Sequence, residues 1–387
     1  MGRLRPWLGR ALALAVGTAL GLGLLEVGLR WLRPSHSGLR ALLYQATLPT
    51  AYGRIRDLPA LLETTVVGFQ PHAEYAGYVL NARGMRTREY ADAPAPGVYR
   101  VVALGDSFVY GGVADADLWC SRLERGLASA RPAEVLRLGV PGTGPPFYLR
   151  LWELEASRLR PDVVIVGLYV GNDFFDEQGR AGGWRGALDR AAAASYAVRL
   201  FRNLLRLDGP LMARAARASG VRHETGGFDV PGYVFDDTRP TFSPEAFAEI
   251  ERDHMTLCLR SAGRRFAVRL DRVMRVLREM RAQVARSRGV RLVVMVIPDE
   301  YQVHPDVALQ AARAEGRGPE AYDLDRPQRE LGRSLTDEGI EWVDLLPAFR
   351  ERGAHERLYA PRDTHWNRAG HRLAAEEVLA HLDRAGR

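Results

Sequence analysis

The stretch VYRVVALGDSF, residues 98–108, joins a buried strand to a sharp turn. The run Val98–Leu104 ends in four consecutive apolar residues, as expected of a strand that is buried on both faces of a parallel sheet. Gly105 then permits a tight turn directly after the strand. Ser107 is therefore expected at the carboxyl edge of the sheet, where open α/β sheets bind their ligands.

Further runs of the same kind follow along the chain, and amphipathic segments separate them. The other predicted strands are Val135–Val140, Val163–Val170, Val290–Ile297 and Ile340–Leu345. The clearest helix is Phe266–Val284, in which apolar residues recur at helical spacing and arginines occupy the opposite face. A last helix is predicted from Arg368 to Leu382, with Asn367 as its N-cap. Strand–helix alternation of this kind predicts an α/β fold with a doubly wound parallel sheet.

One segment is too long to be a simple crossover between neighbouring strands. Residues 174–262, approximately, lie between the third and fourth predicted strands, and we expect a helical insertion that forms a cap beside the ligand-binding edge. The predicted organisation is a tail and membrane segment at residues 1–33, a juxtamembrane extension at 34–96, and the α/β domain with its insertion at 97–387.

The N-terminal segment has the pattern of a membrane-spanning signal-anchor. Residues 11–25 contain no charged side chain, and the apolar run continues past Glu26 to Leu29. A helix over residues 11–29 would be about 30 Å long, close to one hydrocarbon core. Arginines precede the run and no small-residue cleavage site follows it, which favours an uncleaved anchor over a removed signal peptide. We therefore predict a single-pass inner-membrane protein with a cytoplasmic tail and a periplasmic body.

The distribution of charge excludes one class of partner. The formal net charge is +7 and every cationic side chain is an arginine, but six arginines against one glutamate lie within residues 1–40. The body is consequently close to neutral. It carries no basic stripe with interleaved aromatic residues, so nucleic acid is not an expected partner.

Cysteine and histidine usage predicts neither a metal site nor a cofactor. The two cysteines, Cys120 and Cys258, and the nine histidines lack the spacing of metal ligands. An extracytoplasmic body would permit a disulfide between the cysteines. Two separate buried thiols are the favoured interpretation, because two cysteines seldom face each other by chance.

Residues suited to nucleophilic catalysis follow the predicted strands. Ser107 follows the first strand, and Gly142 and Asn172 follow the second and third. A serine nucleophile needs a base, and His365 can take the proton from Ser107 while Asp363 holds the imidazole in the right tautomer. The Asn172 amide and the Gly142 backbone N–H are suited to stabilise an oxyanion. Gly142 is also compatible with a plain glycine-rich turn.

These motifs, in this order, resemble the SGNH (GDSL-like) hydrolase superfamily. The four blocks are Gly105-Asp106-Ser107, Gly142, Gly171-Asn172-Asp173 and Asp363-Thr364-His365. The segments around them, together with Asn81–Arg86 and Ile297–Asp299, are similar to a bacterial membrane-anchored branch, over roughly residues 80–173 and 290–385. The resemblance implies a flavodoxin-like three-layer α/β/α fold. It also implies ester or acyl-transfer chemistry, with the Ser107 N–H, the Gly142 N–H and Asn172 as the oxyanion hole.

The spacing between Asp363 and His365 departs from the more common pattern of this superfamily. Two residues commonly separate the aspartate from the histidine, whereas one residue separates them here. The shorter spacing is similar to that of the alginate-type polysaccharide O-acetyltransferases, which belong to the same superfamily. Asp344, after the fifth strand, is an alternative partner for His365, although hydrogen bonding within the fold is its favoured interpretation.

Three functions follow from these features. The first is an esterase that acts through an acyl-enzyme on Ser107, on cell-envelope or carbohydrate esters. The second is an O-acetyltransferase that modifies an extracytoplasmic polysaccharide, for which the resemblance implies a membrane partner that donates the acyl group. The third is a non-catalytic binding scaffold, which the presence of Ser107, Asn172 and His365 together disfavours.

Overall fold

The chain divides into two compact units. The larger comprises Pro71–Gly179 and Ala216–Arg387, and the smaller comprises Met1–Gln70 and Arg180–Ala215. The end of the predicted juxtamembrane extension, residues 78–96, belongs to the same unit as the α/β domain. The computed structural model describes residues 5–32, 74–75, 78–141, 143–175, 195–204 and 236–384.

The larger unit is built on a parallel five-stranded sheet. A short antiparallel pair, β1 (Glu74–Tyr75) and β2 (Tyr78–Val79), precedes it. The sheet strands are β3 (Tyr99–Gly105), β4 (Ala133–Gly139), β5 (Val163–Tyr169), β6 (Arg291–Ile297) and β7 (Glu341–Asp344). Their order across the sheet is β4-β3-β5-β6-β7, and all neighbours are parallel. This order is doubly wound, and ligands bind such sheets beside the first strand, where the winding reverses.

Every strand that the sequence predicted is present, with bounds that differ by at most two residues. The reason is visible in β5, in which all seven residues are buried, so that its apolar run is continuous. In β7, at the edge of the sheet, only Val343 is fully buried. The predicted α/β class and doubly wound sheet are therefore confirmed.

Helices cover both faces of the sheet. Among the described residues of both units, the helices are α1 (Arg5–Leu32), α2 (Ser107–Tyr110), α3 (Trp119–Ala128), α4 (Pro145–Leu154), α5 (Tyr196–Leu204), α6 (Pro244–Met255), α7 (Gly263–Val284), α8 (Glu300–Val303), α9 (Pro305–Ala314), α10 (Arg326–Asp337), α11 (Leu346–Gly353) and α12 (Arg368–Arg384), of which α1 and α5 belong to the smaller unit. Helices α3, α11 and α12 pack on one face around Val101 and Ile165. Val102 and Val164, which the pleat directs to the opposite face, are also fully buried. Helices α4, α7 and α10 contact strands of the sheet and one another.

The described part of the predicted insertion is shared between the two units. Helix α5 belongs to the smaller unit, whereas residues 236–262, including α6, belong to the larger one. In the larger unit, Phe247, Met255 and Leu259 pack with Tyr301, which follows β6. This part of the insertion is therefore integrated into the body of the domain.

The smaller unit contains helices α1 and α5, which pack against each other. Leu29 is buried with Tyr196 and Ala197. The Glu26 carboxylate accepts hydrogen bonds from the Ser195 Oγ at 2.8 Å and from the Ala197 N–H at 2.9 Å. These contacts join the C-terminal half of α1 to the first turn of α5.

The membrane-spanning anchor predicted at residues 11–29 is not supported by the structure. The segment lies within α1, a helix of 28 residues. Among the residues that the structure describes, no helix combines the length and the apolar character needed to cross a membrane. Glu26 interrupts the apolar run; besides its bonds to α5, it pairs with Arg30 at 2.8 Å.

The two cysteines are buried free thiols. Cys120 lies in the apolar cluster between α3 and the sheet. Cys258 lies in a different cluster, with its Sγ 3.6 Å from the hydroxyl oxygen of Tyr301. The prediction of two separate thiols is confirmed, and the alternative of a disulfide is wrong.

Candidate active site

The turn after β3 places Ser107 at the carboxyl edge of the sheet. Strand β3 ends at Gly105, and Ser107 begins the short helix α2. The Asp106 Oδ1 accepts a hydrogen bond from the Phe108 N–H at 2.9 Å and so fixes the turn. A Cβ at position 105 would lie 2.5 Å from the Val109 Cγ2, so a larger residue there would displace that side chain.

A hydrogen-bond relay leads from Ser107 to Asp363. The His365 Nε2 lies 2.7 Å from the Ser107 Oγ, and its Nδ1 lies 2.6 Å from the Asp363 Oδ1. The backbone N–H of His365 donates to the same carboxylate oxygen at 3.0 Å. This second bond closes a tight turn, in which the aspartate side chain bonds to the backbone N–H two residues later. The turn places the carboxylate beside the imidazole although only one residue separates Asp363 from His365. The structure thus brings together the three residues predicted as nucleophile, base and orienting acid.

A fourth residue of the relay comes from the insertion. The Thr241 hydroxyl donates to the Asp363 Oδ2 at 2.5 Å, and both side chains are buried. The backbone N–H groups of Thr241 and Phe242 donate to the carbonyl oxygens of Pro361 and Arg362, at 3.2 and 3.1 Å, and so hold the insertion against the loop that carries Asp363. Thr241 could not be predicted from the sequence, because a lone threonine 122 residues before its partner leaves no local signal.

The electrostatics of the relay keep Asp363 ionised. Burial by itself raises the pKa of Asp363, but the charge of His365 and the hydrogen bonds from His365 and Thr241 outweigh burial and hold this pKa below its ordinary value. Burial lowers the pKa of His365, but the charge and hydrogen bond of Asp363 outweigh it and raise this pKa. An ionised aspartate in this position stabilises the imidazolium that forms when the histidine takes a proton from the serine.

Asn172 lies on the same edge of the sheet, just after β5. Its Nδ2 is 3.4 Å from the Oδ2 of Asp106, the residue before the nucleophile. Burial raises the pKa of Asp106 to about 6, although the Phe108 N–H and Asn172 donate hydrogen bonds to its carboxylate. Gly142 lies outside the described residues. The oxyanion hole of Ser107, Gly142 and Asn172 therefore stays a prediction.

Asp344, the alternative partner for His365, has a different role. Its Oδ1 accepts a hydrogen bond from the Leu346 N–H at 2.9 Å, at the beginning of α11. The favoured interpretation of Asp344, hydrogen bonding within the fold, is confirmed. Asp173 similarly ties its own loop, because its Oδ2 accepts a hydrogen bond from the Tyr169 N–H at 2.8 Å.

A group of potential metal ligands, which the sequence analysis did not predict, lies at the carboxyl end of β6. The donor atoms of Glu251, His254 and Asp299 lie within 4.8 Å of one another. Glu251 and His254 are three residues apart on α6, which places both on one face of the helix. This Glu-x-x-His spacing is visible in the sequence, but only the fold brings Asp299 to it.

The fold and the relay together define a class of protein. A serine is bonded to a histidine, and the histidine to an aspartate, at the carboxyl edge of a doubly wound parallel sheet. This is the arrangement with which serine hydrolases and acyltransferases activate a nucleophilic serine.

Comparison with protein families gives a more particular result. Residues 261–387 match the family model described as "SGNH hydrolase-like domain, acetyltransferase AlgX". The matched segment contains Asp363 and His365, whereas Ser107 precedes it. The match confirms the resemblance to the SGNH superfamily and the similarity to its acetyltransferase-type domains.

Solved structures give similar but distant matches. The chain is similar to a member of the lipolytic protein G-D-S-L family from Veillonella parvula DSM 2008, with 12% identity and a TM-score of 0.39, over 74% of this chain and 99% of that chain. It is also similar to a catalytic mutant of an acetylxylan esterase from Geobacillus stearothermophilus, with 13% identity and a TM-score of 0.39, over 73% and 94%. No curated protein matches the chain in sequence.

Proposed function

We propose that this chain is a serine-dependent acyl ester hydrolase that acts through an acyl-enzyme on Ser107. The observation that carries the proposal is the 2.7 Å contact between the His365 Nε2 and the Ser107 Oγ, with the ionised Asp363 behind the histidine. A serine is a weak nucleophile until such a base takes its proton. The match of residues 261–387 to an SGNH hydrolase-like domain supports ester chemistry.

The first half of the proposed reaction acylates the enzyme. The Ser107 Oγ attacks the ester carbonyl carbon while the His365 Nε2 accepts the hydroxyl proton. The negative charge that develops on the carbonyl oxygen would be held by the predicted oxyanion hole of the Ser107 N–H, the Gly142 N–H and Asn172. The tetrahedral intermediate then breaks its bond to the alcohol oxygen, and His365 returns the proton to the departing alcohol.

The second half releases the acyl group. A water molecule attacks the acyl carbonyl carbon of Ser107, and His365 accepts its proton. When the second tetrahedral intermediate collapses, the bond to the Ser107 Oγ breaks and His365 protonates that oxygen. Asp363 remains ionised throughout and stabilises the imidazolium in both halves.

O-acetyl transfer to an extracytoplasmic polysaccharide is the second candidate. It is favoured by the description of the matching family model as an acetyltransferase. The two reactions share the acyl-enzyme and differ in the acceptor, since a sugar hydroxyl takes the place of water. Such an enzyme would receive its acyl group from a membrane donor protein. The extracytoplasmic placement of the body stays a prediction from the N-terminal sequence.

The first experiment assays the full chain on 4-nitrophenyl acetate, with and without an oligosaccharide acceptor. We expect Ser107→Ala and His365→Ala to lower turnover by at least about 10³-fold. The controls are Ser129→Ala and His355→Ala, which change exposed residues of the same types and should retain turnover. Acetylated sugar as the main product selects the transferase, and free acetate in the presence of the acceptor selects the esterase.

A second readout separates both enzymes from the scaffold. A fluorophosphonate probe should label the wild-type chain at Ser107 and should leave Ser107→Ala unlabelled. A folded wild-type chain with neither turnover nor labelling contradicts the proposed function and leaves a binding role.

A further inference from the structure

Buried carboxyl groups beside β6 lack the partners that buried charges need. Glu251 is 1% exposed, Asp299 0% and Glu300 5%. Within the described part of the chain, both oxygens of Glu251 and one oxygen each of Asp299 and Glu300 have no hydrogen-bond partner. Arg357 lies 3.9 Å from Glu300. Buried carboxylates are stable when they are paired with a positive charge or bind a metal ion. A further cation at this position would therefore stabilise the ionised carboxylates.

The unpartnered oxygens of Glu251 point into a small group of ligand-type atoms. Helix α6 supplies Glu251 and His254 on one face, and Asp299 follows directly after β6. The Asp299 Oδ2 lies 2.9 Å from the His254 Nδ1 and accepts a hydrogen bond from the Tyr169 hydroxyl at 2.7 Å. The donor atoms of the three residues lie within 4.8 Å of one another. The His254 side chain is 19% exposed, so one of the three ligand side chains reaches solvent.

The chemistry of this ligand set selects among cations. Mg²⁺ and Ca²⁺ prefer oxygen ligands, whereas an imidazole nitrogen suits first-row transition ions. Zn²⁺ is bound by sets of histidine and carboxylate ligands, with a position left for water where the protein supplies three. The hydrogen bond from Tyr169 to Asp299 is the kind of outer contact that orients a metal-binding carboxylate.

The geometry points to a zinc site formed by Glu251, His254 and Asp299. The site shares no residue with the Ser107–His365–Asp363 relay, and two rings connect them. The ring of Tyr169, which bonds to Asp299, packs on the ring of Phe108 at 4.3 Å, and Phe108 in turn contacts His365. The bound ion ties α6, a helix of the insertion, to the end of β6. It thereby stabilises the insertion that also supplies Thr241 to the relay.

The test measures zinc binding by the full chain after treatment with a chelator and dialysis. Titration calorimetry with ZnCl₂, together with elemental analysis, should give about one equivalent per chain, with a rise in Tm of several degrees. MgCl₂ at the same concentration should produce neither effect. Glu251→Gln should weaken zinc binding by at least about tenfold and abolish the rise in Tm.

The matched control is Glu249→Gln, the same change on the same helix at a side chain that is 47% exposed. It should bind zinc as the wild type does. Because each variant is compared with itself with and without zinc, a general loss of stability cannot imitate the result. The proposal is overturned if the wild type binds no zinc, if Glu251→Gln binds it equally well, or if MgCl₂ serves as well. In the first two cases the carboxyl groups hold protons instead, and in the third the site does not select zinc.

Discussion

Asp363 and Glu251 are both buried carboxyl groups of the larger unit, yet their surroundings are opposite. Both oxygens of Asp363 are hydrogen-bonded, by His365 and by Thr241. Among the described residues, neither oxygen of Glu251 has a partner. Burial, together with the charges of Asp299 and Glu300, raises the pKa of Glu251 well above its ordinary value, whereas the pKa of Asp363 lies below its own. Hydrogen-bond partners and neighbouring charges, and not the degree of burial, therefore decide which of the two acids is ionised.

The largest expected effect comes from removing the charge of the satisfied acid. Asp363→Asn keeps the size of the side chain, but an amide cannot hold His365 in the productive tautomer or stabilise the imidazolium. We expect turnover of 4-nitrophenyl acetate to fall by about 10⁴-fold. Asp344→Asn is the control, since Asp344 bonds to the backbone of α11, and it should retain turnover. A fall of less than about tenfold in Asp363→Asn would contradict the role of Asp363.

Glu251 has no hydrogen-bond partner among the described residues, so we expect removal of its carboxyl group to stabilise the protein. In chelator-treated protein, Glu251→Met should raise the free energy of unfolding by about 1–3 kcal/mol, because it removes a buried carboxyl group without hydrogen-bond partners. Urea denaturation followed by circular dichroism measures this change. The corresponding substitution Asp363→Leu should lower the free energy of unfolding, because it breaks satisfied hydrogen bonds. Destabilisation by both substitutions would erase the distinction between the two acids.

The hydrogen bond from Thr241 to Asp363 can be tested separately. Thr241→Ala leaves the Asp363 Oδ2 without its donor, and we expect turnover to fall by about tenfold, the effect of roughly 1.4 kcal/mol. Thr241→Ser keeps the hydroxyl and should restore most of the rate. Because Thr241 acts through Asp363, the acidic limb of the pH–rate profile should also move in Thr241→Ala and not in Thr241→Ser. Equal loss in both variants would indicate a packing role only.

Two histidines extend the comparison to a basic side chain. Asp363 raises the pKa of His365, whereas burial lowers the pKa of His371 to about 3. Between pH 6.5, the ordinary value, and about 3, the unfolded chain therefore binds one proton more at His371. As the pH is lowered through this window, the free energy of unfolding should therefore decrease, by up to about 1.4 kcal/mol per pH unit. His371→Gln should reduce the loss between pH 7 and 5 in urea denaturation, and His355→Gln, at an exposed position, should leave it unchanged.

The sheet could be predicted because its central strands are buried on both faces. Such strands read as continuous apolar runs, and the polar residues that end them, Ser107 and Asn172, share one edge by the geometry of parallel strands. The placement of Asp363 beside His365 is local, because one turn produces it. These parts of the candidate site depend on short stretches of chain and were accessible from the sequence.

The remaining contacts depend on distant parts of the chain. Thr241 meets Asp363 across 122 residues, and Asp299 meets His254 across 45 residues. Periodicity and motif spacing report only on neighbours along the chain, so neither pair could be predicted. The prediction of a membrane-spanning segment likewise used only the apolar run, and the contacts of Glu26 with Ser195 and Ala197 could not be predicted from it.

The relay also reports on how the chain folds. Ser107 and His365 are 258 residues apart, and every strand of the sheet lies within or just before that interval. Contacts of such sequence separation form late, because the intervening loop entropy has to be overcome first. During refolding, we therefore expect the turn that carries Ser107 to form before the contact between Ser107 and His365. Recovery of turnover of 4-nitrophenyl acetate should therefore lag behind recovery of helical circular dichroism. The delay would measure the rate of the last step of folding.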